Sequence, residues 1–371
     1  MWREPATRYA AVLASIVLAL TGVAGCSSTT VIVPSTCPSV YTAAVAWTSK
    51  MARSSVIQFF NGDQVVAEIK VPVRNIQWGD QAPVYHDGTV ALLSMGDPSF
   101  GDASLITIHL ATCVVNVMDL HSMEMNLGSF RDGFLTVGNL NGSSHVTGFT
   151  AVRASVTTSF EGQIITVAQG DGDRVYAIGT TIDTRETSLI VLSADDLAVV
   201  KTVPLPMLSL GAAVSMTFVA GKVIIPLGTT HLRTTDAEDN RLIVVDQTDW
   251  SVRTIKLDQL SPFLVRTVGD TVYVAHTFMN QGFHDWSFYR YVSTLNAANE
   301  IPTTHTLGSP IARFDVTATR LAALSGSDAN DVPVLHTYAL PDFTPITTVA
   351  LKPPKNVPYP VAVNVFLSPS A

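Results

Sequence analysis

Three histidines and one aspartate are the side chains of this 371-residue chain best suited by type to chemistry: His231, His276, His284 and Asp285. His231 and His276 each follow a strand-like run, one repeat unit apart, and His284 and Asp285 are adjacent in the same loop as His276. Imidazoles converging with a carboxylate can hold zinc or another divalent ion. No compact ligand spacing ties these four together, so neither a metal nor any other cofactor is expected. The sequence holds no G-x-S-x-G elbow, no H-E-x-x-H, no phosphate-cradling G-x-x-x-x-G-K-[ST] and no C-x-x-C. The stretch GDGDR (Gly170 to Arg174) is too short for a calcium loop and reads as a tight turn. No catalytic residue is assigned.

A second group of residues suits recognition better than catalysis. HTFMNQGFHDWSFYRY (His276 to Tyr291) crowds aromatics into one connection. Phe283 and Trp286 flank His284 and Asp285, and Arg233 and Arg241 come from the preceding unit. Aromatics beside charged groups offer rigid contact area with a polar handle, which recognition sites favour. These six residues are the candidate partner site. The same aromatics could instead fold back as a small satellite core.

The elements that carry these loops are strands. Short β-branched runs alternate with Gly, Asp, Asn and Pro, and no amphipathic helix stands out. Units of similar form begin at Tyr41, Thr89, Gly133, Arg174, Lys222, Thr271 and Arg320. Each has a strand, a polar loop, a strand, a tight turn and a third strand. A period of about 40–50 residues of this kind predicts a β-propeller with four strands per blade. The fourth strand precedes most units, as in QIITVAQ (Gln163 to Gln169), AVSMTFV (Ala213 to Val219) and RFDVTAT (Arg313 to Thr319). The expected fold is therefore an all-β, seven-bladed propeller. Nothing strand-like precedes Tyr41, so VAVNVFLS (Val361 to Ser368) is expected to fill the inner position of the first blade and close the ring.

Two stretches carry a family likeness. LIVVDQTDWSVRTIKL (Leu242 to Leu257) and LIVLSADDLAVVKTVPL (Leu189 to Leu205) resemble the repeat of YVTN-type propellers. The resemblance implies a seven-bladed fold in an extracytoplasmic setting, and it implies no catalytic residues.

The amino terminus bears on location. Arg3 and Arg8 precede an apolar run from Ala10 to Leu20, the layout of an export signal. Val23-Ala24-Gly25-Cys26, followed by two serines, resembles a bacterial lipobox, which implies a lipid on Cys26. The expected organisation is a signal peptide over 1–25, a Ser/Thr/Pro-rich tether over 26–39 and the propeller over 40–371. That places the protein on the cell membrane, lipid-anchored on its extracytoplasmic side. Strand order then puts Cys37 and Cys113 on one face of adjacent blades. In an oxidising compartment they are either a disulfide or two free thiols.

Charge narrows the partner classes. The chain carries 22 basic and 30 acidic residues, a formal −8, with no Lys/Arg cluster of the kind nucleic acid requires. The connections between second and third strands are long and lie opposite the face of Cys37. Taking the tether to leave from Cys37, those loops should point away from the membrane and meet a protein or glycan partner. The binding or scaffold reading has one rival: a hydrolase or lyase in the central opening, which would need convergent His, Asp and Arg there.

Overall fold

The computed structural model describes residues 29–33, 37–38, 40–49, 52–74, 76, 83–94, 103–120, 124–131, 133–140, 143–150, 154–206, 215–227, 239–276, 290–325 and 332–368. Among them every regular element is a strand. The first is β1 (Thr29–Ile32). Blade one takes β2 (Ala43–Ser49), β3 (Ser55–Asn61) and β4 (Gln64–Val71). Blade two is β5 (Val84–His86), β6 (Thr89–Ser94), β7 (Ser104–His109) and β8 (Val115–Asp119). Blade three is β9 (Glu124–Phe130), β10 (Gly133–Leu140), β11 (Ser143–Thr150) and β12 (Ala154–Glu161). Blade four is β13 (Gln163–Asp171), β14 (Arg174–Thr181), β15 (Thr187–Ser193) and β16 (Val199–Leu205). Blade five is β17 (Thr217–Val219), β18 (Lys222–Pro226), β19 (Arg241–Asp246) and β20 (Val252–Lys256). Blade six is β21 (Pro262–Val268), β22 (Thr271–His276), β23 (Tyr291–Asn296) and β24 (Pro302–Thr306). Blade seven is β25 (Arg313–Val316), β26 (Arg320–Ser325), β27 (Val334–Ala339) and β28 (Thr344–Ala350), and β29 (Pro360–Leu367) follows it.

Each blade is an antiparallel meander, and the seven form a closed ring: the fold is a seven-bladed β-propeller. Closure is by β29, which pairs with β2 from Ala43↔Leu367 to Ser49↔Pro360 and is the innermost strand of blade one. The last strand of the chain thereby covers an edge that would otherwise be open to another chain.

The apolar runs follow from this arrangement. Middle strands of a blade are covered on both faces, so they are hydrophobic throughout rather than alternating with polar residues. Successive side chains still point to opposite faces, and so serve different interfaces. In β19, Leu242 and Val244 pack toward blade six, whereas Ile243 and Val245 pack toward blade four. In β22, Val272 and Val274 meet blade five, and Tyr273 and Ala275 meet blade seven. Seven such apolar clusters fill the seven junctions between neighbouring blades. Each buried Val, Leu or Ile contributes about 1.5–3 kcal/mol. The outermost strands show the other regime: β16 exposes Val199 and Val200 and buries Val203 and Leu205.

Two details differ from the sequence reading. The strand expected from Ala213 begins at Thr217, with 213–214 outside the described residues. Part of the segment read as a tether is a strand: β1 pairs antiparallel with β8, from Thr29↔Met118 to Ile32↔Val115, and gives blade two a fifth strand. Thr, Val and Ile favour the pleated edge that β8 offers, and pairing satisfies backbone groups that a free tether would leave to water.

Candidate functional site

The inner strands of blades two to seven line an axial cavity of about 310 Å³. Polar groups converge there because three charged or phenolic side chains stand on the inner strands of blades two, six and seven. Asp315 in β25 lies between Phe314 and Val316, Arg266 in β21 follows Val265, and Tyr85 in β5 follows Val84. Asp315 is only 2% exposed, so its carboxylate must find partners inside the protein. Its Oδ2 accepts from the Tyr85 hydroxyl at 2.5 Å and from the Leu367 backbone N–H at 2.8 Å. The Arg266 guanidinium stands 3.9 Å from Oδ1, donates to the Pro83 carbonyl and lies over the Tyr85 ring, 5.7 Å from its centre. Burial, with the Asp315 charge added, pushes the Tyr85 phenol well above its usual range, so it stays a donor. One carboxylate thus ties together blades one, two, six and seven.

A second pair, with one partner buried, links the third strand of blade three to its innermost strand. His145 Nε2 is 2.8 Å from Glu124 Oε1, and that hydrogen bond raises the histidine pKa against the opposing effect of burial. Glu124 is 2% exposed.

The residues singled out from sequence are placed as follows. His276 closes β22 at 0% exposure, with both ring nitrogens engaged. Its Nδ1–H donates to the Leu260 carbonyl at 2.8 Å, which leaves Nε2 to accept from the Ser293 hydroxyl at 2.7 Å. Burial holds its pKa down at about 4. It is a neutral core histidine, with no lone pair left for a metal ion. Arg241, at the start of β19, is clamped by Asp239 through three hydrogen bonds of 2.6–3.2 Å. Cys26, His231, Arg233, Phe283, His284, Asp285 and Trp286 lie outside the described residues. Among the described residues no three His, Cys, Asp or Glu side chains come together as a metal site.

Cys37 and Cys113 are joined by a disulfide with a Cα–Cα distance of 5.4 Å. Cys113 sits in the turn between the third and fourth strands of blade two, at φ +56°, and is fully buried. Leu197 holds the corresponding position in blade four, at the same φ and equally buried. The cysteine therefore takes a site that the repeat otherwise gives to an apolar plug.

Sequence reasoning missed Asp315, Arg266 and Tyr85. A signal was available for Asp315 alone, a charged residue in an inner strand with an apolar neighbour on each side. Asp and Arg converge at the axis without a His among the residues lining the cavity, so the enzyme alternative's His, Asp and Arg set is met in part, and Asp315 is already committed to two hydrogen bonds and a cation.

Comparison with known proteins adds the fold and little else. No family model and no curated protein matches the chain. Among solved structures it is similar to the Synechocystis apocarotenoid oxygenase, at 11% identity and TM-score 0.54, covering 93% of this chain and 96% of that one. It is also similar to AztD from Citrobacter koseri (11%, TM-score 0.50, 88% and 98% covered). A third is the Cps50 (Swd1) β-propeller domain of Myceliophteria thermophila (12%, TM-score 0.50, 75% and 89% covered). The likeness is one of fold. An oxygenase and a domain named only for its propeller share the architecture, so the architecture does not select a role.

Proposed function

We propose that this chain is a membrane-anchored extracytoplasmic lipoprotein whose propeller is a rigid binding or scaffold module for a protein or glycan partner. The observation that carries the binding reading is the state of the axial carboxylate. Asp315 is held by Tyr85, Leu367 and Arg266, and so serves as a structural hub rather than as a free general base. The loops of blades five and six are left as the recognition surface, with Phe283, His284, Asp285, Trp286, Arg233 and Arg241 as the partner site. The fixed base of that surface supports the reading: the Arg241–Asp239 clamp and buried His276 stand where the 228–240 and 277–290 connections meet their strands. The lipobox-like stretch ending at Cys26 supports the anchor, and the YVTN-like repeat of blades four and five supports the extracytoplasmic setting.

Crosslinking on intact membranes, followed by mass spectrometry of the purified complex, tests both parts. The expected result is an acylated Cys26 peptide and crosslinks from the partner to blades five and six. Crosslinks confined to other blades would move the site, and an unmodified Cys26 would remove the anchor.

The cavity itself favours one second reading, a hydrolase or lyase at the central opening, because Asp, Arg and Tyr meet there. Loss of a measurable hydrolytic activity in D315N, with the fold retained, would establish it.

A further inference from the structure

The direction of β1 fixes which face of the propeller an anchor on Cys26 would approach. The turns between first and second strands and between third and fourth strands share one face, called here the turn face. The remaining connections share the other, the loop face. β8 leaves the turn face at Val115 and reaches the loop face at Asp119. β1 runs the opposite way, with Thr29 beside Met118 and Ile32 beside Val115. The chain therefore enters β1 at the loop face, on the outer rim of blade two. It crosses to the turn face before Cys37 bonds Cys113. Only Ser27 and Ser28 separate Thr29 from Cys26, and three Cα steps span at most about 11 Å. The orientation expected from sequence took Cys37 as the point where the tether leaves; the paired strand moves that point to Thr29, on the other face.

A second, independent feature lies on the same side. The loop from β28 to β29 crosses blade one at the loop face, where Ser49 and Ser54 donate to the carbonyls of Pro358 and Asn356 at 2.6 and 3.3 Å. It carries Lys352 and Lys355, both exposed, and Tyr359 at 71% exposure. Arg53 is exposed in the adjoining connection of blade one, and Lys70 is exposed near the end of β4, paired with Val56. The turn face is richer in acids, with Asp63, Asp87, Asp173, Asp249, Asp270 and Asp342 exposed in its turns and its exposed Arg131 paired with Asp195, whereas the exposed loop-face acids Glu161, Asp183, Glu186 and Asp258 belong to blades three, four and five. Lys and Arg near a bilayer are drawn to anionic headgroups, and Tyr partitions to the headgroup level.

We infer that the loop face at blades one and two is the membrane-proximal surface, resting through Arg53, Lys70, Lys352, Lys355 and Tyr359 on anionic phospholipid. The inference rests on the lipid anchor proposed above. Blades five and six lie across the ring from blade two, so the disc is tilted, with its contact edge down and the partner loops raised on the far side.

Fluorophores placed one at a time at E161C on the loop face and D63C on the turn face read this orientation. The lipidated protein is bound to vesicles containing anionic phospholipid and a headgroup-attached spin label. Quenching should be several-fold stronger at position 161 than at 63, and the triple variant R53E/K352E/K355E should narrow the difference. Equal or reversed quenching on acylated, vesicle-bound protein overturns the orientation alone. An unacylated Cys26 by mass spectrometry overturns the anchor, and the orientation with it.

Discussion

The two faces of this disc are built to different rules. On the turn face, five blades repeat one device between their third and fourth strands. Cys113, Leu197, Trp250, Glu300 and Phe343 each take a left-handed conformation, at φ between 54 and 66°. Four of them donate backbone N–H to a carbonyl four residues earlier, at 2.7–3.0 Å. Asp196 and Asp249 accept from the backbone N–H two residues on, and those hydrogen bonds lower their pKa values. Among the described residues of the loop face one device recurs in two blades, a hydroxyl pair at 3.0 Å between second and third strands (Thr48 with Ser55, Thr180 with Thr187), while the connections themselves differ widely in length. Gly162 alone joins β12 to β13, whereas residues 277–290 separate β22 from β23. Repetition marks what the fold requires, and irregularity marks where a particular protein differs from its fold. The axis belongs to neither face, because Asp315 is a single hub with no counterpart in the repeat.

The largest expected effect tests whether that hub is structural. D315A leaves Arg266, Tyr85 and the Leu367 N–H without their shared acceptor, and should cost about 3–5 kcal/mol in chemical denaturation. D315N retains an acceptor oxygen and should cost markedly less. A loss below 1 kcal/mol in D315A would mean that the axis contributes little and that closure rests on the β29 pairing alone.

On the turn face, C37S/C113S opens a link between residues 76 positions apart and should lower stability by about 2–4 kcal/mol. Peptide mapping without reductant should find the two cysteines in one crosslinked fragment. Quantitative alkylation of both in native protein would contradict the bond.

On the loop side, His276 gives a pH dependence of definite sign. Its folded pKa of about 4 lies below the ordinary value of 6.5, so the unfolded chain takes up the proton first. The His276 contribution is complete above pH 6.5, falls as pH drops, and is gone at about pH 4. The full swing is on the order of 3 kcal/mol. H276Q should flatten denaturation midpoints across that window, and an unchanged slope would show that other groups set it.

The smallest contrast uses two glycines. A Cβ on Gly128 would meet the Ala168 carbonyl oxygen at 1.9 Å, because the inner strands of blades three and four nearly touch. One on Gly162 meets nothing within 4 Å but sits at φ +67°. G128A should cost about 3 kcal/mol, as overpacking does, and G162A about 1 kcal/mol of backbone strain. Equal losses would mean that the inner strands can move apart.

How much of this was open to reading differs by kind of signal. Strand runs and the punctuation between them are local, so the seven starts, the strands at Gln163, Arg313 and Val361, and the closure of the ring all follow from sequence. The axial hub does not, because its members are far apart: Tyr85 and Asp315 are 230 positions apart, and Asp315 and Leu367 are 52 apart. Only the curvature of the ring brings them together. The strand Thr29–Ile32 is hidden for another reason. Four residues after a serine-rich stretch carry no periodicity, and their structure comes from the edge of β8. The proposed partner site rests on composition alone. Arg241 shows the gap, since its sequence says cation and the structure shows that cation already paired with Asp239.

The central claim is that the irregular loops, and not the axis, do the binding. Its most direct test is F283A/W286A, compared with wild type in partner capture from crosslinked membranes and in thermal unfolding. The account predicts that capture is lost while the melting temperature stays nearly unchanged. Capture that persists, or a variant that unfolds well below wild type because these aromatics are core, would contradict it.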